Sequence, residues 1–145
     1  MALNELQDCI KKGLILRIAP SREAAEKSIA RSETWLIEAK GVLDAGRYDS
    51  CILAAYAAMF HAIRALLIRD GYRERSHYCT ARYVEEKYVR KGLLPKEVVA
   101  LIDDYRELRH DAAYSLEFEA GEKDARDAVR DAKRIIDSIK KVFDK

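Results

Sequence analysis

The chain has 145 residues, of which 49% are hydrophobic and 36% are charged, and its formal net charge is +2. This length suits one domain with a sizeable core. We therefore expect a single domain over residues 1–145, with an N-terminal helix and connector over 1–20 and a core bundle over 21–145. The near balance of charge excludes a strongly basic protein dedicated to duplex nucleic acid.

The cysteines and the N-terminus indicate the cellular compartment. Cys9, Cys51 and Cys79 are odd in number and have no Cys-x-x-Cys spacing, which predicts neither a disulfide framework nor a zinc ribbon. This pattern is typical of reduced thiols in the cytoplasm. The acidic N-terminus also lacks the basic start and apolar run of a secretory signal. We therefore expect a cytoplasmic protein.

The first half of the chain is predicted to be helical. Apolar spacing predicts a short first helix, and then a second from Arg22 to Ala45 with Ser21 as its N-cap. A third helix, from Cys51 to Asp70 with Asp49 or Ser50 as its cap, is apolar on nearly every side, which is typical of a central buried helix. Its length and its two ionisable side chains oppose a membrane span. Its many alanines would permit close approach of other helices, including those of a second subunit.

Those ionisable side chains are His61 and Arg64, which lie three residues apart on one face of the third helix. Inside an apolar helix they must find partners, reach solvent or lie in an interface. Two interpretations follow. They form a satisfied structural pair, or they contribute to a polar site beside Arg109.

The second half of the chain continues the helical pattern. Residues 69–80 have no apolar period and are expected to form the longest loop, which carries His77 as an exposed histidine or a ligand-binding one. Further helices are predicted over Thr80 to Arg90, after Pro95, and over Glu122 to Phe143. Strand-like alternation and a glycine-rich phosphate loop are missing from the sequence. The chain is thus predicted to be all-α, a five- to six-helix up-and-down bundle, with no cofactor and no metal site.

The stretch over residues 69–91 is the most basic part of the chain and interleaves its cations with four tyrosines. Such a surface could attract phosphate and stack bases. It could equally be a solvated helix face over core tyrosines, because the excess of positive charge is small.

The stretch from Tyr105 to Tyr114 carries most of the candidate chemistry. Helical spacing places Arg106 and His110 on one flank of the fifth helix and Arg109 at the edge of its apolar stripe. Two guanidiniums, an imidazole and a phenol thus crowd together. The stretch is either an ordinary helix end, whose cations complement the macrodipole, or a functional site.

The run Arg109-His110-Asp111-Ala112-Ala113-Tyr114 resembles the signature of the HEPN superfamily of small helical domains. That motif is an arginine, a polar residue, a few variable positions and then a histidine. Arg109 matches the arginine and His110 the polar residue, whereas Tyr114 stands where the ribonuclease members have histidine.

Other segments are also similar to that family. These are the third predicted helix, the Gly71-Tyr72-Arg73 segment followed by His77, and the alanine-rich last helix. The resemblance therefore extends from about Ser21 onward. It implies a helical bundle that is usually dimeric.

The resemblance also implies a chemistry, in which RNA is cut without a metal. Arg109 would hold the scissile phosphate while a histidine moves protons. Tyr114 suits the second task poorly, because an unperturbed phenol has a pKa near 10 against about 6.5 for histidine. On an intact helix His110 and Tyr114 lie about 100° and 140° from Arg109. They converge with it only if the helix unwinds or a dimer brings them together, so we predict that the helix ends near residues 111–115.

Three functions remain open. The leading one is a HEPN-type binding module that engages a nucleotide or RNA, or pairs with a minimal nucleotidyltransferase in a toxin-antitoxin-like system, or does both, with weak or no catalysis. The second is a metal-independent endoribonuclease that uses Arg109 with His110 or Tyr114. The third is a structural helical homodimer. The predicted ligand-binding residues around this site are His61, Arg64, His77 and Arg106.

Overall fold

The structure is a computed structural model and describes residues 4–144. Within that range six α-helices, one π-helical turn and two short strands follow one another along the chain. Their bounds are α1 Glu5–Lys11, β1 Ile15–Arg17, α2 Arg22–Asp44, α3 Tyr48–Asp70, β2 Tyr72–Glu74, α4 His77–Val84, the π-turn Glu85–Val89, α5 Lys96–Tyr114 and α6 Glu122–Phe143. The predicted all-α bundle is confirmed, and the last helix has the predicted bounds.

Helix α3 is the centre of the bundle, as its composition predicts. It packs against α2, α4, α5 and α6, and most of its side chains are buried. The helix is long and apolar enough to cross a membrane, but 72% of its most apolar stretch is buried inside the fold. Its hydrophobic surface is therefore used for packing within the chain.

The predicted N-cap of α2 is confirmed, whereas neither predicted N-cap of α3 is. Ser21 Oγ accepts a hydrogen bond from the Ala24 N–H at 3.0 Å and begins α2, as expected. Helix α3 begins earlier than predicted, at Tyr48, and has no side-chain cap. Asp49 instead accepts a hydrogen bond from the Ala120 N–H at 2.9 Å. This carboxylate thus ties the α5–α6 connection to α3.

The prediction of a structure without strands is wrong in one place. Strand β1 pairs antiparallel with β2, with Leu16 opposite Arg73, and β2 lies inside the segment expected to be a loop. Gly71 ends α3 with φ of +95°, and a Cβ there would lie 2.9 Å from Pro20 Cγ. The two strands have three residues each, too short to show the alternation from which strands are recognised.

The prediction of three reduced cysteines is also wrong. Cys9 of α1 and Cys79 of α4 form a disulfide, with Cα atoms 5.8 Å apart. Only Cys51 is free, and it is buried. The two bonded cysteines are 70 residues apart, so packing of α1 against α4, and not any local spacing, brings them together.

Helix α4 starts three residues before its predicted start. Ser76 caps it by accepting a hydrogen bond from the Cys79 N–H at 3.1 Å, so His77 becomes the first helical residue and not a loop residue. After Val84 the helix continues as the π-turn. Helix α5 ends at Tyr114, within the predicted range, and the Ser115 N–H donates to the Asp111 carbonyl at 2.9 Å.

Candidate functional site at the Arg109 face of α5

The side chain of Arg109 is half-buried and has no charged partner. Its Cζ lies 5.1 Å from the centroid of the Tyr56 ring on α3, and its Nε is buried without a hydrogen-bond partner. Among residues 4–144 no carboxylate forms a salt bridge with it, whereas Arg106, one turn earlier, is paired with Asp103 at 2.8 Å. A partly desolvated guanidinium without a partner is costly, and phosphate is a group that would satisfy it.

The ring of His77 lies close to the same Tyr56 ring that Arg109 contacts, with centroids 5.8 Å apart. It stacks on Phe60 with centroids 3.9 Å apart and planes 12° apart. Its Nδ1 is 2.9 Å from the Tyr56 hydroxyl. His77 as a whole residue is classed as exposed, so two aromatic side chains hold the ring while the residue stays accessible to solvent.

Arg64 is engaged within the chain. Its Nε lies 3.0 Å from a Glu74 carboxylate oxygen of β2, and this pair joins the central helix to the small sheet. His61 is half-buried, and its backbone carbonyl accepts a hydrogen bond from Ser28 Oγ at 2.7 Å. The structure therefore pairs Arg64 with Glu74 and not with His61.

Arg106 belongs to a network of charges at the edge of the site. Asp103 accepts hydrogen bonds from Arg106 and also from Arg82 of α4. Both guanidiniums lie over the Tyr78 ring, at 5.5 and 4.8 Å from its centroid. Because its charge is already neutralised, Arg106 contributes a positive field to a ligand less directly than Arg109 does.

An open pocket of about 500 Å³ is centred on this part of α5. All of its lining residues come from one helix, so the chain supplies only one wall. They are Arg106, Glu107, Arg109, His110 and Asp111.

His110 and Tyr114 lie together near the end of α5. Their ring centroids are 5.0 Å apart, and Tyr114 is 67% exposed. Because α5 is continuous through residue 114, Tyr114 remains about 140° around the helix from Arg109. The end of α5 therefore does not bring these two residues together within one chain.

Burial and neighbouring charge shift the pKa values of His61 and His77. Partial burial, followed by the Arg109 charge, lowers the pKa of His77. Burial and then Arg64 lower the pKa of His61. Glu74 opposes both shifts. Burial raises the pKa of Tyr56 to about 12, so its phenol stays neutral.

The basic stretch over residues 69–91 has a different character. Tyr83 and Tyr88 are buried, and both donate hydrogen bonds to Asp70, at 2.8 and 2.7 Å. Arg69 in turn donates to the Tyr88 hydroxyl at 2.8 Å. Tyr83 and Tyr88 are thus core residues whose hydroxyls are satisfied inside the chain, whereas Tyr78 is exposed.

Over residues 4–144 no three His, Cys, Asp or Glu side chains lie close enough together to hold a metal ion. The candidate site is thus made of guanidinium, imidazole and phenol groups.

Comparison with known proteins identifies the family. The model of the HEPN domain matches residues 25–142. The chain belongs to the HEPN-domain family. The resemblance drawn from the Arg109 motif is thereby confirmed, and the bundle described above is the HEPN fold of this chain.

Several curated proteins are similar to this HEPN chain over most of its length. An Archaeoglobus fulgidus protein named "UPF0332 protein" is 28% identical, covering 83% of this chain and 95% of its own. A Thermotoga maritima protein of the same name is 26% identical over 79% and 86%. A Methanocaldococcus jannaschii protein is 26% identical over 84% and 90%, and its name is "Putative toxin".

Sequence reasoning found Arg109 and His77 but missed the residues that connect them. Tyr56 and Phe60 are four residues apart in an apolar helix and look like ordinary core residues. A signal was nonetheless available, because a buried tyrosine hydroxyl needs a hydrogen-bond partner. The HEPN candidate site therefore draws on α3, α4 and α5, not on α5 alone.

Proposed function

We propose that this HEPN domain is the toxin-like member of a toxin-antitoxin-like pair and binds single-stranded RNA at the Arg109 face of α5. The observation that carries the proposal is the Arg109 guanidinium, which has no salt bridge among residues 4–144 and whose Nε has no hydrogen-bond partner. A planar guanidinium binds two phosphate oxygens at once, which a lysine cannot do.

The surroundings of Arg109 support a phosphate ligand that carries bases. Arg106 and the exposed ring of His110 line the same pocket, and the Tyr114 ring lies 5.0 Å from that of His110. Exposed aromatic rings stack on bases without sequence preference. A run of nucleotides along α5 would thus meet cations and rings in alternation.

Two protein partners are part of the proposal. A second copy of the chain would supply the wall that the pocket lacks, and it would cover Tyr114 and the fully exposed Leu116 at the end of α5. A minimal nucleotidyltransferase is the proposed antitoxin, as the family resemblance implies. The relative named as a toxin supports the pairing with an antitoxin.

The proposed place of action is the cytoplasm, where RNA substrates are found. The Cys9–Cys79 disulfide argues the other way, because glutathione keeps most cytosolic thiols reduced outside hyperthermophiles. We infer that the chain binds RNA in either redox state, since neither cysteine lines the Arg109 pocket.

Binding of a fluorescent single-stranded RNA, measured by anisotropy in EDTA, tests the proposal. Arg109→Ala is expected to weaken binding about tenfold or more, since a charge-assisted hydrogen bond contributes about 1.5–3 kcal/mol. Arg109→Lys should lie between the two, because it keeps the charge and loses the planar fork.

The matched control is Arg126→Ala, which removes one positive charge from an exposed pair with Glu122 on α6. It should change affinity less than about threefold at physiological salt. Equal losses in the Arg109 and Arg126 variants would show only general attraction to a polyanion. No binding by the unaltered protein would leave the structural homodimer as the better description.

A further inference from the structure

The clearest feature outside the HEPN motif is the way His77 is held. Its ring stacks on Phe60 at 3.9 Å between centroids, and Nδ1 contacts the Tyr56 hydroxyl at 2.9 Å. Two aromatic residues of α3 thus fix both the plane and one nitrogen of an imidazole that belongs to α4. A histidine needed only as an exposed helix residue would require neither contact.

Tyr56 also links this imidazole to Arg109. The Arg109 guanidinium lies 5.1 Å from the centroid of the Tyr56 ring, and the centroid of the His77 ring lies 5.8 Å from it. The Arg109 guanidinium and the His77 imidazole thus lie near one buried ring within a single chain, and the Arg109 charge acts on His77. Neither unwinding of α5 nor a second subunit is needed to bring them together.

The protonation state of His77 suits a proton acceptor. Partial burial and the nearby Arg109 charge favour the neutral imidazole, since they lower its pKa. When Nδ1–H donates to the Tyr56 oxygen, Nε2 holds the free lone pair. The other charged groups that act on His77 are Glu74 of β2, Arg64 of α3 and Arg106 of α5.

We propose that His77 is the general base of a metal-independent RNA cleavage at the Arg109 site, in place of the histidine that position 114 lacks. This inference rests on the proposed RNA binding. The proposed catalytic pair therefore combines Arg109 of the HEPN motif on α5 with His77 on α4, which lies outside that motif. Tyr56 acts as a positioning residue, because its hydroxyl orients the imidazole.

The proposed step is an internal transfer that needs no co-reactant. His77 Nε2 takes the proton of a ribose 2′-OH, and the 2′ oxygen forms a bond to the adjacent phosphorus. The bond from phosphorus to the 5′ oxygen breaks, and that oxygen leaves with the electron pair and takes a proton from water. His77 then returns its proton to solvent. The products are a 2′,3′-cyclic phosphate and a 5′-hydroxyl end.

The test measures cleavage and binding of one labelled single-stranded RNA by the full-length protein in EDTA. We expect His77→Asn to reduce the cleavage rate by about 10² to 10⁴, the usual contribution of general base catalysis. RNA affinity should change less than about threefold, because Arg109 holds the phosphate. A substrate with a 2′-deoxy sugar at the cleaved position should bind and remain intact.

Tyr56→Phe separates positioning from folding, because it keeps the ring and removes only the hydroxyl. Its cleavage rate should fall about tenfold with unchanged RNA affinity, since misplacement of a catalytic group is costly. In the unaltered protein the rate should rise with pH through an apparent pKa below 6.5 and then level off.

The outcomes distinguish this inference from the proposed function. RNA binding without cleavage by the unaltered protein would overturn the role of His77 and leave the binding module standing. Cleavage that survives His77→Asn but is lost in His110→Ala would show that the general base is His110 of the motif and not His77. Absence of RNA binding would remove the proposed function itself.

Discussion

Two pairs of residues in this bundle have the same sequence separation and opposite geometry. Tyr83 and Tyr88 are five residues apart, and both hydroxyls donate to Asp70, at 2.8 and 2.7 Å. Arg109 and Tyr114 are also five residues apart, yet Arg109 turns toward the bundle while Tyr114 is 67% exposed. The first pair converges on one carboxylate, and the second pair diverges.

The difference arises from the type of helix that separates the members of each pair. The π-turn has hydrogen bonds between residues five apart, such as the Arg90 N–H to the Glu85 carbonyl at 3.0 Å. It brings residues at that spacing nearly into register. Helix α5 stays α-helical to its end, so the same spacing gives about 140°. The local helix type therefore decides which side chains can form a site.

Removing the Asp70 carboxylate is the change with the largest expected effect. Asp70→Ala should lower the free energy of unfolding by about 2–4 kcal/mol, because two buried hydroxyls lose a charged acceptor. Chemical denaturation measures this. Asp137→Ala is the matched control, since that carboxylate is 53% exposed and pairs only with Lys133, and its cost should stay below about 1 kcal/mol. Equal costs would mean that the convergence on Asp70 does not stabilise the fold.

Removing one hydroxyl of the converging pair should have an intermediate effect. Tyr88→Phe is expected to cost about 1–2 kcal/mol of unfolding free energy, because Asp70 and Arg69 each lose a hydrogen bond. Tyr78→Phe is the control, since the Tyr78 hydroxyl is exposed and donates to Glu5. A loss in Tyr78→Phe as large as that in Tyr88→Phe would contradict the assignment of Tyr88 to a structural network.

The smallest expected effect is the dependence of stability on pH at the Arg109 face. The pKa values of His61 and His77 are lowered in the folded protein, so the unfolded chain binds more protons as pH falls below about 6.5. Stability is thus complete above that pH and decreases as pH drops toward the folded pKa values. The melting temperature should fall from pH 7 to 5, and less steeply in His77→Asn. An equal slope in both proteins would show that His77 does not titrate as described.

Long helical periodicity carried most of the fold prediction. The bounds of α6 and the central position of α3 followed from patterns that extend over more than 20 residues, and the Ser21 cap followed from a local signal. The β1–β2 pair and the Cys9–Cys79 bond did not, because each joins segments far apart in sequence. Nothing local marks the partner of a three-residue strand or of a single cysteine.

The candidate site was predictable to the extent that it lies within one helix. Arg109 was found from its motif, and His77 was named as a residue of interest in a supposed loop. The contact of His77 with Tyr56 depends on how α4 packs against α3, and that packing has no periodic signature. The start of α4 at His77 depends on the Ser76 cap, a local signal that the loop prediction overlooked.

The disulfide between Cys9 and Cys79 has a topological consequence for the whole molecule. It closes a covalent ring that contains α2, α3 and both strands, while α5 and α6 follow as an open tail. A single backbone cut between α2 and α3 leaves one covalently joined molecule, from which α1 cannot be shed. A cut between α5 and α6 instead yields two fragments, held to each other only by noncovalent packing such as that of α6 on α3.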